Sequence, residues 1–147
     1  MRKVICNLST FGFQMTPAPA VQAYCYIPRV NHGEWVHFLI DTGASETCLN
    51  GIYALGLQHH MRPETLEESH GIGGNCDYFH ERTILVFRDD RNQWLSRVVW
   101  LGIQHITRAH LNNPNILHCP ALLGRDILNR SRLDYNPNQR EVTLIFR

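Results

Sequence analysis

Short runs of aromatic and β-branched residues, each closed by turn-forming residues, constrain this chain more than any other feature. Val21 to Pro28 (VQAYCYIP) and Trp35 to Ile40 (WVHFLI) are the clearest, and Asn31-His32-Gly33-Glu34 between them has turn chemistry. The pair therefore predicts a hairpin. In the second run Val36, Phe38 and Ile40 share one face and Trp35, His37 and Leu39 the other, so both faces are expected to be at least partly covered. Further strands are expected at Thr83 to Phe87, Ser96 to Ile103 and Glu141 to Phe146, each bounded by Gly, Pro, Asn or Asp. Only two pieces read as helix, Gly51 to Leu57 and Arg125 to Arg132. The expected class is all-β.

At 147 residues the chain is long enough to bury one core and too short for two ordinary domains. Hydrophobic residues at 44% against 18% charged place it among folded proteins rather than disordered ones. Within it, Thr16-Pro17-Ala18-Pro19-Ala20 should be extended, because each proline fixes its own φ and restricts its predecessor. That divides the chain into an N-terminal arm and linker, residues 1–20, and a body, residues 21–147. With 14 basic and 13 acidic residues the formal charge is +1, so neither a nucleic acid nor an anionic membrane is expected as partner. Met1 to Phe13 lacks the apolar run of a signal peptide, and no 18-residue apolar stretch occurs. The five cysteines are scattered, with no C-x-x-C pair, which fits a reducing, cytoplasmic setting.

The residues that carry chemistry begin at Phe38-Leu39-Ile40-Asp41-Thr42-Gly43-Ala44-Ser45, where an apolar strand runs straight into a carboxylate and a turn of small residues. An apolar lead-in makes ionising a carboxyl group harder, Gly43 lets a backbone or ligand come close, and Thr42 offers a hydroxyl for an orienting hydrogen bond. About 80 residues later, Pro120-Ala121-Leu122-Leu123-Gly124-Arg125-Asp126-Ile127-Leu128 gives an apolar strand, a glycine and the start of a helix. Leu133-Asp134-Tyr135-Asn136-Pro137 and a last strand follow. Between the two segments lies a glycine-rich stretch, His70-Gly71-Ile72-Gly73-Gly74-Asn75, flanked by residues able to pair as strands.

With these motifs in this order, the chain resembles the retropepsin family of aspartic peptidases across roughly Val21 to Phe146. The resemblance implies an acid-protease half-barrel with a flap hairpin and one short C-terminal helix, working as a homodimer on peptide or protein substrates. Only one Asp-Thr-Gly is present, so Asp41 would meet its symmetry mate across a two-fold axis. On the same footing, Thr42 would support the pair through cross-dimer hydrogen bonds and Gly43 would hold substrate backbone. Ala44 would keep the pocket open, and Ser45 stands where viral members often carry Asp. Gly71, Ile72, Gly73 and Gly74 would form the flap tip. Leu122, Leu123, Gly124 and Arg125 would support the site, with Glu46 as candidate partner for Arg125. In the family the termini of the two subunits interleave, which makes Glu141 to Phe146 the expected interface strand.

Nine histidines raise the question of metal, but His59-His60 and the Cys76/His80 pair do not complete a four-ligand set. No metal and no cofactor is expected. The alternative function is a module of the same fold that binds peptide or dimerises without efficient catalysis.

Overall fold

The computed structural model describes residues 1–12, 16–71 and 74–147, with the backbone alone for 69–71 and 74–75. Strands dominate, as the alternation of apolar residues predicts. In chain order they are β1 (Arg2–Ile5), β2 (Asn7–Ser9), β3 (Ala18–Ile27), β4 (His32–Ile40), β5 (Cys48–Leu49), β6 (Glu67–Gly71), β7 (Gly74–Arg88), β8 (Trp94–Gln104), β9 (Ala121–Leu123), β10 (Ser131–Asn136) and β11 (Glu141–Phe146). Three short helices, α1 (Gly51–Leu55), α2 (Pro114–Leu117) and α3 (Arg125–Leu128), and several single 3-10 turns punctuate them. Among the described residues no helix is long and apolar enough to cross a membrane.

An eight-stranded sheet runs β2-β3-β4-β9-β5-β8-β7-β6, and β3 also pairs with β7, so β3, β4, β9, β5, β8 and β7 follow one another in a ring. Most neighbours are antiparallel. The parallel pairings are β4 with β9 and β5 with β8. Period-two alternation fills the interior: Val21, Ala23, Cys25 and Ile27 from β3, Val36, Phe38 and Ile40 from β4, Leu85 and Phe87 from β7, Leu101 and Ile103 from β8. Each large side chain buried there contributes about 1.5–3 kcal/mol. The opposite face of β4 is only partly covered: Trp35 is exposed, and His37 and Leu39 are half-buried.

Several expectations change once the chain is folded. The turn joining β3 and β4 is Pro28 to Asn31 rather than Asn31 to Glu34. Proline pre-sets φ at the first turn position, Asn31 adopts the left-handed conformation (φ 47°), and its N–H returns to the Pro28 carbonyl at 3.1 Å. Tyr26 Oη locks the corner by donating to Asn31 Oδ1 at 2.8 Å.

The segment expected as a separate arm is built into both sheets. β1 pairs with β11, β2 pairs with β3 from Ala18 onward, and Val4 is fully buried. Arg2 adds an ion pair to the buried Asp89. Burial opposes ionisation of that carboxyl, but the N–H groups of Gln93 and Arg91 and the Arg2 guanidinium outweigh it and hold Asp89 below the usual carboxylate range.

The helix expected over Arg125 to Arg132 stops at Leu128, because Ser131 onward pairs with β11 in register Ser131↔Phe146 to Asn136↔Glu141. A three-stranded sheet β1-β11-β10 results. The last strand is therefore its centre, with both edges taken within the chain, and it offers no free edge to a second copy. The free edges of this sheet belong to β1 and β10.

Candidate active site

Asp41 sits at the first position past β4, where β4 and β9 run parallel with Phe38↔Ala121, Leu39↔Leu122 and Ile40↔Leu123. Both strands end at the same level and both leave through small residues, so the two segments singled out in the sequence emerge side by side. They are then laced together. The Asp41 N–H donates to the Leu123 carbonyl (3.0 Å), the Arg125 N–H to the Ala44 carbonyl (2.9 Å), and the Gly124 N–H to Thr47 Oγ1 (3.1 Å). Thr47 answers across the same gap, its N–H and hydroxyl donating to the two oxygens of Asp126 at 3.0 and 2.6 Å. Backbone polar groups at the end of a strand need partners when water is excluded, and here each loop supplies the other's.

Inside the turn, Asp41 Oδ1 accepts the Gly43 N–H at 2.8 Å, and the Ala44 N–H closes on the Asp41 carbonyl at 3.2 Å. A Cβ on residue 43 would lie 3.1 Å from that carboxylate oxygen and press on it. Gly124 is under a harder constraint, since a Cβ there would come within 2.4 Å of the Glu46 carbonyl carbon. Asp41 is half-buried while Thr42, Gly43 and Ser45 are exposed. The carboxylate is thus fixed by backbone yet open on one side, and among the described residues nothing donates to its second oxygen. A single chain brings one such carboxylate to this place.

Of the other expected residues, Leu123 and Gly124 are buried, and Leu122 is half-buried within β9. Arg125 is exposed and its guanidinium donates to the Thr42 carbonyl at 3.0 Å, which braces the turn. Glu46 is not its partner. That carboxylate turns the other way, to His80 Nε2 on β7 at 3.1 Å, and His80 is buried with its ring stacked on Trp100. The Glu46–His80 contact joins the Asp41 loop to the stem of the β6–β7 hairpin. A second link is Tyr78 Oη, which donates to Asn50 Oδ1 at 2.7 Å.

The glycine-rich stretch does lie at the end of a hairpin. β6 and β7 pair from Glu67↔Tyr78 to Gly71↔Gly74, leaving Ile72 and Gly73, which fall outside the described residues, between them. β6 is the last strand of its sheet and pairs with β7 alone.

Thr47 is not singled out by the sequence, and nothing local marks it. Asp126 stands in the Gly124-Arg125-Asp126 segment at a helix start, where a carboxylate is favourable, but the sequence gives it no role of its own. His80 draws attention there only beside Cys76 as a metal-ligand candidate, not as the partner of Glu46.

Cysteine chemistry is disfavoured in this neighbourhood. Burial pushes the thiol of Cys48 up to about 12 and also raises Cys119 and the phenol of Tyr78, so these groups hold their protons at neutral pH. Among the described residues no three His, Cys, Asp or Glu side chains gather as metal ligands. No protein-family model matches the chain, and comparison with curated proteins finds no match.

Proposed function

We propose that this chain is half of an aspartic endopeptidase, completed when a second copy brings its own Asp41 against the first. The observation that carries the reading is the Asp41 turn: a carboxylate held by the Gly43 N–H, presented between exposed Thr42 and Gly43, and anchored from behind by the Gly124–Asp126 segment. The resemblance to retropepsins supports it, and so does the β6–β7 hairpin tied to the same loop through Glu46 and His80.

The chemistry follows from pairing two carboxyl groups. At a separation of about 3 Å they cannot both ionise readily and share one proton. One takes a proton from a bound water as that water attacks the scissile carbonyl, while the other donates to the carbonyl oxygen. The tetrahedral intermediate then collapses as the nitrogen leaves protonated, so two chain ends form without a covalent enzyme intermediate. The Gly43 N–H fixes one oxygen of Asp41 and leaves the second for water or for the partner carboxyl. Arg125 and Asp126 act as positioning residues.

The test is peptide hydrolysis by Asp41→Asn. Asparagine keeps the shape and an oxygen for the Gly43 N–H but cannot carry the proton, so activity should fall by about 10²–10⁴-fold or more, with secondary structure and oligomeric state unchanged. Near-normal hydrolysis by the folded variant would remove Asp41 from catalysis. Retained peptide binding by wild type with no cleavage of any peptide would favour the binding module.

A further inference from the structure

β8, the loop leaving α3, the start of β10 and the residue after β11 bring four arginines to one place. Arg97, Asn129, Arg130, Ser131, Arg132 and Arg147 line a cavity of about 510 Å³. It lies at the C-terminal end of α3, whereas the N-terminal residue of that helix, Arg125, braces the Asp41 turn. The fold itself gives no reason for four like charges around one concavity, since guanidiniums facing each other repel. Of these four, only Arg132 has an ion-pair partner among the described residues, Asp134, which it grips with two bonds of 3.0 Å. Even if a backbone carboxylate at Arg147 is counted, positive charge is in excess.

Two of the four are held in place. Arg132 is fixed by Asp134, and Arg97 donates to the carbonyls of Ser96 (2.9 Å) and Arg147 (3.5 Å) with its guanidinium carbon 5.1 Å above the Phe146 ring. Arg130 and Arg147 are exposed and have no carboxylate partner among the described residues. Planar guanidiniums make forked, charge-assisted bonds to phosphate oxygens. We propose that this cavity binds a small oligophosphate, a compact anion of three or more charges. Its size is within the range of small-ligand sites, about 300–1,000 Å³, and four guanidiniums around it match an anion of several charges better than a single phosphate. Among the described residues no aromatic side chain lines it. Recognition therefore rests on charge, and no base-stacking platform is offered.

The site is independent of the peptidase reading, and its test is separable. Calorimetric titration of the full chain with inorganic tripolyphosphate should give saturable binding of one anion per chain that weakens as sodium chloride is added. The double variant Arg130→Gln/Arg147→Gln, both exposed positions, should weaken it by about tenfold or more. Arg108→Gln, an arginine outside the cavity, and Asp41→Asn should bind as wild type does. Absence of saturable binding, an undiminished affinity in the double variant, or an equal loss in Arg108→Gln would overturn the proposal. Monophosphate binding as tightly as tripolyphosphate, or single-stranded RNA or an acidic peptide binding more tightly through the same arginines, would overturn the oligophosphate assignment.

Discussion

The Asp41 loop and the β6–β7 hairpin are both turns of small residues, and they are held in opposite ways. The loop is anchored by partners about 80 positions away in sequence: Leu123, Gly124, Arg125 and Asp126 satisfy its polar groups one by one. The outer part of the hairpin is held by its own ladder, and β6 has no neighbour besides β7. What joins them are small polar contacts low on the stem, Glu46 to His80 and Tyr78 to Asn50. On the proposed reading the loop is a floor fixed by long-range bonds and the hairpin a roof fixed by local ones, which would keep a carboxylate still while letting a chain of substrate in and out.

That contrast can be broken at the floor first. Gly124→Ala places a methyl group 2.4 Å from the Glu46 carbonyl carbon, against backbone that has no room to yield. We expect a loss of about 1–3 kcal/mol in urea unfolding, together with lower hydrolytic activity. Gly71→Ala, on the hairpin, should change stability much less and act mainly on substrate turnover. Equal losses of stability at the two glycines would erase the distinction between floor and roof.

A smaller effect comes from the clasp behind the turn. Asp126→Ala removes the acceptor for both the N–H and the hydroxyl of buried Thr47. We expect a loss at the lower end of the range of about 1–3 kcal/mol for unsatisfied buried donors. Thr47→Val in the same background should cost less than it does alone, because part of what it removes is already gone. Additive losses in this cycle would mean that the clasp is not one unit.

How much of this could be read from the sequence follows the same division. The Asp41 turn and the Leu122 to Arg125 segment were legible because their residue types are specific: apolar strands running into Asp-Thr-Gly and into Gly-Arg. The clasp was not, since Thr47 and Asp126 are ordinary polar residues that meet only after β4 and β9 pair. β1 and β2 escaped notice for a related reason. They are short, and their place is set by pairing with β11 and β3 rather than by their own composition. The helical pattern after Gly124 continues past Leu128, so the sequence reads a longer helix than forms; the strand partner that claims Ser131, Phe146, lies at the far end of the chain. Glu46 stands just after the Asp41 turn and is on that ground a candidate partner for Arg125, but the fold gives it to His80 instead.

The smallest expected effect is one of pH, on the strand that leads into the floor. His37 on β4 has its Nε2 by Ser9 Oγ at 3.0 Å and stacks on Phe11, while its Nδ1 is buried with no partner among the described residues. Burial lowers its pKa below the usual histidine value. The unfolded chain therefore takes up the proton first as pH falls. Stability is full above about 6.5, the ordinary histidine value, declines as pH drops from there to the lower folded value, and levels off below it. Urea midpoints between pH 8 and pH 5 should fall more steeply for wild type than for His37→Gln. Parallel slopes would show that this histidine does not sense pH through its burial.

The central claim is that one reaction centre needs an Asp41 from each of two chains. Its most direct test is to mix wild type with Asp41→Asn at fixed total concentration, allow exchange, and measure peptide hydrolysis against composition. If only dimers with two intact carboxyl groups work, activity follows the square of the wild-type fraction, and an equal mixture retains about one quarter of the wild-type rate. A straight line, with about half the rate remaining at equal mixture, would mean that each chain works with its own Asp41 and would contradict the account.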